Sequence, residues 1–342
     1  MQNKNTNNNI IPIFFSTDDN YVPFLDVAIS SLIANASKDY KYKIIVLNTG
    51  LKKENTDKIL RLKNETFDIE FANIKSKIER LMSKLPNIFH FGLAAWYRLF
   101  IESLFPQYDK VIYLDCDLVV LGDISKLYNL DMKDNMLAGA IEQFVYTTDV
   151  FRNYAQVCLG LDPANYINSG VLMMNLKEIR KNHLQERFTY VLEKYNFDTI
   201  APDQDYLNFL CQGKIMYLPN GWNKTPLLVD CVGDLNIMHY ALYKKPWQYD
   251  DVINGQYFWD YAKKSVFYDD ILKAKENFDD VARAKKEKAN VDIKNEAVRI
   301  AKLDKTFYKM LVTPNFEIPK TLTAELMESC KERMGKVKHG EI

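Results

Sequence analysis

The chain of 342 residues is 47% apolar and 26% charged, with 45 basic side chains against 45 acidic ones and a formal net charge of zero. That length suits one large domain or a domain with an appendage, and the composition is that of a globular protein with a substantial core. The charge balance disfavours nucleic acid as the main partner, because polyanion binders carry a basic excess or stripe.

Residues 1–9 are polar and rich in Asn, with neither the apolar centre of a signal peptide nor the length of a membrane span, and they read as a disordered leader. A first strand over 11–15 ends at Ser16-Thr17-Asp18-Asp19-Asn20, and helical periodicity follows over 22–36. The pattern then predicts a strand over 42–48, a helix over 52–63, a strand over 67–72 and a helix over 92–104. This alternation predicts an α/β fold, a mainly parallel sheet with helices on both faces. Ligands of such sheets sit beyond the carboxyl ends of the strands, where Asp18, Asp19, Asp115 and Asp117 all fall. Past residue 260 the chain becomes rich in Lys, Glu, Asp and Ala, which predicts helices over 262–305 and, beyond Pro314 and Pro319, over 322–334. The expected division is an α/β domain over 10–260 and a helical C-terminal extension over 261–342. Five scattered cysteines without Cys-x-x-Cys spacing are those of reduced intracellular thiols. No apolar run approaches a spanning helix. The expected location is the cytoplasm, with peripheral contact at the inner face of the plasma membrane left open.

The run over 110–120 reads as one buried strand that carries Asp115 and Asp117. Alternate side chains of a strand point the same way, so the two carboxylates are expected to converge between Leu114 and Leu118. Converging carboxylates repel and lose hydration, and no other cation is evident at that strand end. A hard divalent ion that prefers oxygen ligands resolves the conflict. The plain alternative is a solvated acidic turn.

Five further clusters stand at predicted strand or helix ends. They are Thr17-Asp18-Asp19-Asn20-Tyr21, Trp96-Tyr97-Arg98-Leu99, Ile167-Asn168-Ser169-Gly170-Val171, Pro202-Asp203-Gln204-Asp205, and Met238-His239-Tyr240 followed by Lys244-Lys245-Pro246-Trp247. With Leu114-Asp115-Cys116-Asp117 they resemble, in order and rough spacing over about 10–247, glycosyltransferase family 8. That family includes bacterial lipopolysaccharide and lipooligosaccharide glucosyl- and galactosyltransferases and glycogenin. The resemblance implies a Rossmann-like fold of the GT-A type, a UDP-glucose or UDP-galactose donor, Mn²⁺ (with Mg²⁺ as the alternative), and retention of anomeric configuration. It further implies a glycan, glycolipid or glycoprotein acceptor. The competing reading is a non-catalytic UDP-sugar or glycan-binding relative.

By the same resemblance Asp115, Asp117 and His239 are the expected metal ligands, and Lys245 and His90 the diphosphate contacts, with Trp247 packed beside Lys245. Asp18 and Asn20 are expected at the uracil and ribose, Arg98, Asn168, Asp203 and Gln204 around the donor sugar, and Glu142 at the acceptor. Gln204 falls at the family's β-face position. An amide is a poor nucleophile, which favours front-face attack, with Asp205 as the fallback carboxylate for a double displacement. Plain structural readings stand beside these: a turn and helix cap for Asp18 and Asn20, a buried Arg–Asp pair for Arg98 and Asp203, a core histidine for His239.

One position departs from the family's His-Tyr/Phe-x-Gly-x-x-Lys-Pro-Trp pattern, Leu242 standing where glycine is usual. A Cβ there opposes both φ > 0 and close approach of the backbone to a phosphate. A sugar-nucleotide pyrophosphorylase is disfavoured because no Gly-rich loop follows the first strand. A two-carboxylate hydrolase is disfavoured because Asp115 and Asp117 are too close in sequence to flank a glycosidic bond. In the C-terminal region, Lys285-Lys286-Glu287-Lys288 and Phe307-Tyr308-Lys309-Met310 are candidates for membrane contact, against the plain reading of a solvated mixed-charge face.

Overall fold

The computed structural model describes residues 9–82, 92–242 and 244–312. In chain order β1 (Ile10–Ser16), α1 (Val22–Asn35), β2 (Lys41–Asn48), α2 (Lys53–Leu60) and β3 (Phe67–Asn73) alternate as the pattern predicts, and α3 (Lys75–Met82) follows where the pattern marked no helix. Every residue of β1 after Ile10 is buried, the condition of a strand covered on both faces, and its sequence is accordingly a continuous apolar run. A proline in the first turn of α1 starts that helix where a missing N–H takes nothing from the ladder.

The segment expected as one helix over 92–104 divides into a 3₁₀ helix, Leu93–Phe100, and one α-helical turn, α4 (Ile101–Leu104). Five consecutive residues from Trp96 to Phe100 are buried, which a one-faced amphipathic α-helix does not achieve. The run over 110–120 also divides, into β4 (Lys110–Leu114) and β5 (Leu118–Val120) with a bend between them. Next come α5 (Ile124–Tyr128), β6 (Leu137–Ala140), α6 (Gln143–Thr147), α7 (Asp149–Leu159), β7 (Val171–Asn175), α8 (Leu176–Lys181), α9 (Leu184–Tyr195) and α10 (Pro202–Leu210). The described chain continues through β8 (Ile215–Leu218), β9 (Ile237–His239), α11 (Gln256–Ala262), α12 (Tyr268–Glu276), α13 (Asp280–Ala301) and α14 (Phe307–Leu311).

Among the described residues the main sheet has seven strands in the order β3-β2-β1-β4-β7-β6-β8. β7 runs antiparallel to β4 and β6, and the remaining neighbours are parallel. β5 pairs instead with β9 in a separate antiparallel ribbon. Pleating sends neighbouring residues to opposite layers. Ile13 and Phe15 pack with Leu25, Ile29 and Leu32 of α1, while Phe14 joins Trp96, Phe100, Phe188 and Tyr206 on the other face. The C-terminal helices pack on this second layer through Ala297, Ile300 and Phe307. Among the described residues no helix is long and apolar enough to cross a membrane. The helix expected over 322–334 lies outside the described residues.

Candidate active site

β1 lies between β2 and β4, so the chain runs outward to β3 and returns on the other side of β1. Such a reversal opens a crevice beyond the carboxyl ends of β1 and β4. A cavity of about 980 Å³ occupies that edge, lined by Thr17, Asp18 and Tyr21 after β1 and by Asp115 and Asp117 after β4, with Gln204, His239 and Lys245 from later elements.

Asp115 and Asp117 belong to the bend rather than to a strand, so alternation along a strand does not bring them together. The bend is held from both sides: Asp115 N donates to Gly170 O at 2.8 Å, and Tyr240 N donates to Asp117 O at 2.9 Å. The expectation that no cation stands nearby is also corrected. Arg98 Nη2 lies 2.9 Å from Asp115 Oδ1, and Lys245 Nζ pairs with Asp117 Oδ2. Each cation takes one oxygen. The other two, Asp115 Oδ2 and Asp117 Oδ1, lie 3.8 and 3.1 Å from His239 Nε2. Two carboxylate oxygens and an imidazole nitrogen, all within 4.8 Å of one another, form a donor set that suits a divalent ion. Burial acts to raise the Asp117 carboxyl, but Lys245 and His239 outweigh it and hold the group well below the ordinary range. Gly170 leaves the room for this cluster, since a Cβ there would lie 2.2 Å from His239 Cε1 and 2.6 Å from Asp115 Oδ2.

His239 is oriented by a chain of buried polar groups. Its Nδ1 lies 2.8 Å from Asn223 Oδ1, an oxygen that only accepts, so Nδ1 carries a hydrogen and Nε2 faces the carboxylates. Asn223 Nδ2 donates to Asn168 Oδ1 at 2.8 Å, and Asn168 Nδ2 donates to Glu142 Oε2. Glu142 Oε1 in turn caps α6 by accepting from Phe144 N at 3.1 Å. Asn168 and Glu142 both line the cavity and also fix the ring that offers Nε2. Asn223 escaped sequence reasoning because its contacts reach across 55 and 16 residues and no local pattern marks it.

Arg98 is 3% exposed. Its guanidinium lies 4.2 Å from the Tyr113 ring centroid, and its Nε sits 3.1 Å from Asp203 Oδ2. Burial works against its charge, and Asp115 and Asp203 outweigh burial and keep it protonated. Asp203 also accepts from Ser169 Oγ at 3.0 Å. Gln204 faces the cavity with both ends of its amide held: Ser169 N donates to Oε1 at 2.9 Å, and Nε2 donates to Tyr166 Oη at 3.1 Å.

Asp205 is a correction. It is 0% exposed and no part of the cavity wall. Its oxygens accept from Tyr154 Oη at 2.8 Å, Tyr166 Oη at 2.6 Å, and the Ile200 and Ala201 N–H groups at 3.2 Å. Burial pushes this carboxyl up to about 6. Adjacent residues on α10 diverge by about 100°, so Gln204 meets the cavity and Asp205 meets the core.

Asp18 lines the cavity, and its Oδ1 accepts from Asn20 N at 2.9 Å and Tyr21 N at 3.1 Å, the capping chemistry of its plain reading. Asn20 is exposed and outside the cavity wall, because that same turn sends it to solvent. His90 lies outside the described residues. Lys245 is buried, donates to Tyr240 O at 2.8 Å, and carries its ammonium 5.5 Å from the Trp247 ring centroid. Leu242, on the cavity wall, adopts φ 63°. The backbone thus takes the left-handed conformation glycine favours, at a cost of about 1–2 kcal/mol.

The family model described as glycosyl transferase family 8 matches residues 12–251. The chain is 26% identical over 255 residues to the lipopolysaccharide 1,2-glucosyltransferase of Escherichia coli (strain K12), covering 69% of this chain and 72% of that relative. The solved structure of the galactosyltransferase LgtC in complex with donor and acceptor sugar analogs is similar at 26% identity and a TM-score of 0.64, covering 75% of this chain and 96% of that one. The apo structure of the bifunctional glycosyltransferase WbbM shares the fold, with 23% identity and a TM-score of 0.67 over 78% of this chain and 52% of that one. The architecture is GT-A-like, a mostly parallel central sheet with a helical C-terminal region. With the match spanning well over half of its length, the chain belongs to glycosyltransferase family 8.

Proposed function

We propose that this protein transfers glucose or galactose from a UDP-sugar to a glycan, glycolipid or glycoprotein acceptor, with retention of configuration and dependence on Mn²⁺ or Mg²⁺. The observation that carries this reading is the division of labour at the bend: one oxygen of each aspartate is neutralised by Arg98 or Lys245, and the other joins His239 Nε2 at a shared point. A divalent ion bound by these three residues would neutralise charge on the diphosphate leaving group. Lys245, held beside Asp117, would share that charge as the bond between sugar and phosphate breaks. The immobilised amide of Gln204 and the removal of Asp205 into the core support front-face substitution. In that step the acceptor oxygen bonds the anomeric carbon, the carbon–oxygen bond to the diphosphate breaks, and the acceptor's proton passes to the departing phosphate oxygen.

The binding-only alternative rested on Leu242, and the φ of 63° supports retention of the glycine-like backbone path. A cytoplasmic location belongs to the same proposal, supported by the buried free thiols of Cys116, Cys158 and Cys211. Exposed Lys285 and Lys288 support peripheral contact with an anionic membrane surface.

The test is UDP release from a panel of UDP-sugars with Mn²⁺, with excess chelator, and with Asp117→Asn. Turnover is expected with UDP-glucose or UDP-galactose, falling by about a hundredfold or more in the isosteric variant and in chelator. Undiminished turnover in chelator would defeat the metal assignment, and binding of a UDP-sugar without release of UDP would favour the binding-only relative.

A further inference from the structure

α13 lies beyond the residues matched by the family model, yet one of its faces forms part of the cavity. That face repeats at helical spacing. Its C-terminal half, Ile293, Ala297 and Ile300, packs into the core layer that α7 also joins. Its N-terminal half replaces apolar side chains with Arg283, Lys286 and Asn290, all on the cavity wall. The apolar half anchors the helix, so the polar half is held over the cavity.

Arg283 has a neighbour for its charge, the Tyr249 ring, whose centroid is 5.5 Å away. Lys286 is different. It is half-buried, and among the described residues it has no hydrogen-bond, ion-pair or ring partner. Glu287 also lines the cavity, but the two neighbours form no ion pair. Lys286, Lys245 and Asp117 line the same cavity, and burial and the charge of Lys245 push the Lys286 ammonium down to about 8, with Asp117 opposing. An ammonium drawn out of water without a counter-ion is costly, and the cost is recovered when an anion enters the cavity.

We propose that Lys286 is a second cation for the phosphate groups of the donor, supplied by the C-terminal helix to the end of the cavity where Asp117 and Lys245 meet. The cavity is then completed by a segment outside the family's matched region, and the anion it takes is a nucleoside diphosphate. This inference rests on the UDP-sugar reading for the identity of the anion.

Calorimetric titration of the full chain with UDP, uridine and inorganic pyrophosphate, each with Mn²⁺, tests it against Lys286→Met and Lys286→Arg. Loss of one charge-assisted phosphate contact is expected to weaken UDP and pyrophosphate binding about tenfold or more in Lys286→Met, leave uridine binding unchanged, and be largely restored in Lys286→Arg. The ligand-free Tm of Lys286→Met should be no lower than that of the wild type, because an unpaired half-buried charge is removed. Unchanged affinity for UDP and pyrophosphate, or a parallel fall in uridine binding, overturns the inference while leaving the UDP-sugar reading in place. Pyrophosphate binding that depends on Lys286 in a chain that does not bind UDP keeps the second cation and overturns the uridine assignment. Binding of neither by the wild type overturns both.

Discussion

Asp115 and Asp117 each split their two oxygens between a cation of the chain and a point shared with His239. The opposite charges of Lys245 and His239 hold the Asp117 carboxyl well below its ordinary range despite burial. Asp205 shows the contrasting environment. With its oxygens committed to two tyrosines and two backbone N–H groups inside the core, it is a structural carboxylate. Burial raises its folded pKa to about 6, above the ordinary 3.8. A group raised on folding contributes stability fully below its unfolded pKa and loses that contribution as pH rises through the folded value. The wild type should therefore gain stability over Asp205→Asn as pH falls from about 6 to about 4, by up to about 1.4 kcal/mol per pH unit. Urea unfolding of both proteins at several pH values measures this. A variant of unchanged stability but lost turnover would instead return Asp205 to the reaction.

The elements position the site through their ends. β4 stops at Leu114, β7 begins at Val171, and the turn before β7 brings Gly170 against His239 and Asp115. A strand through 110–120 would have sent the backbone of Asp117 into the main sheet. The bend instead releases β5 to pair with β9, which carries His239 opposite Leu118. Gly170→Ala is expected to keep the fold, with an overpacking cost of about 1–3 kcal/mol, and to weaken Mn²⁺ binding at least about tenfold as the His239 ring is displaced. Calorimetric Mn²⁺ titration decides it. Wild-type affinity in this variant would mean that His239 is not held where the ion binds.

At the scale of the molecule, the C-terminal helices are packed on the α/β body as well as lining its cavity. Phe307 is 1% exposed and lies among Phe197, Tyr206 and Phe209, with ring centroids at 4.3, 5.0 and 4.9 Å. Phe307→Ala should cost about 3–5 kcal/mol, seen as a single cooperative transition at lower Tm. An unchanged Tm would mean that this segment melts apart from the body. Tyr206 follows Asp205 on α10, so the same helix meets the buried carboxylate network and the C-terminal segment.

The sequence by itself determined the alternating α/β plan and the sheet edge at which Asp18, Asp115 and Asp117 fall; its resemblance to the family grouped Arg98, Asn168, Gln204, His239 and Lys245 with them, and all of these line one cavity. Strand and helix periods are local properties, and residues that follow the parallel strands β1 and β4 reach the same edge, whereas Asn168 and His239 arrive from antiparallel strands and Arg98 and Gln204 from helices. Only the tertiary structure decided what each side chain does there. It paired Arg98 and Lys245 with the two aspartates, made Asn168 and Glu142 part of the chain that orients His239, withdrew Asp205 and Asn20 from the cavity, and turned Lys286 inward. These outcomes depend on contacts between residues far apart in the chain and on which side of a helix or turn a residue falls. Composition and spacing do not carry that information; the direction of the side chain in the folded molecule does.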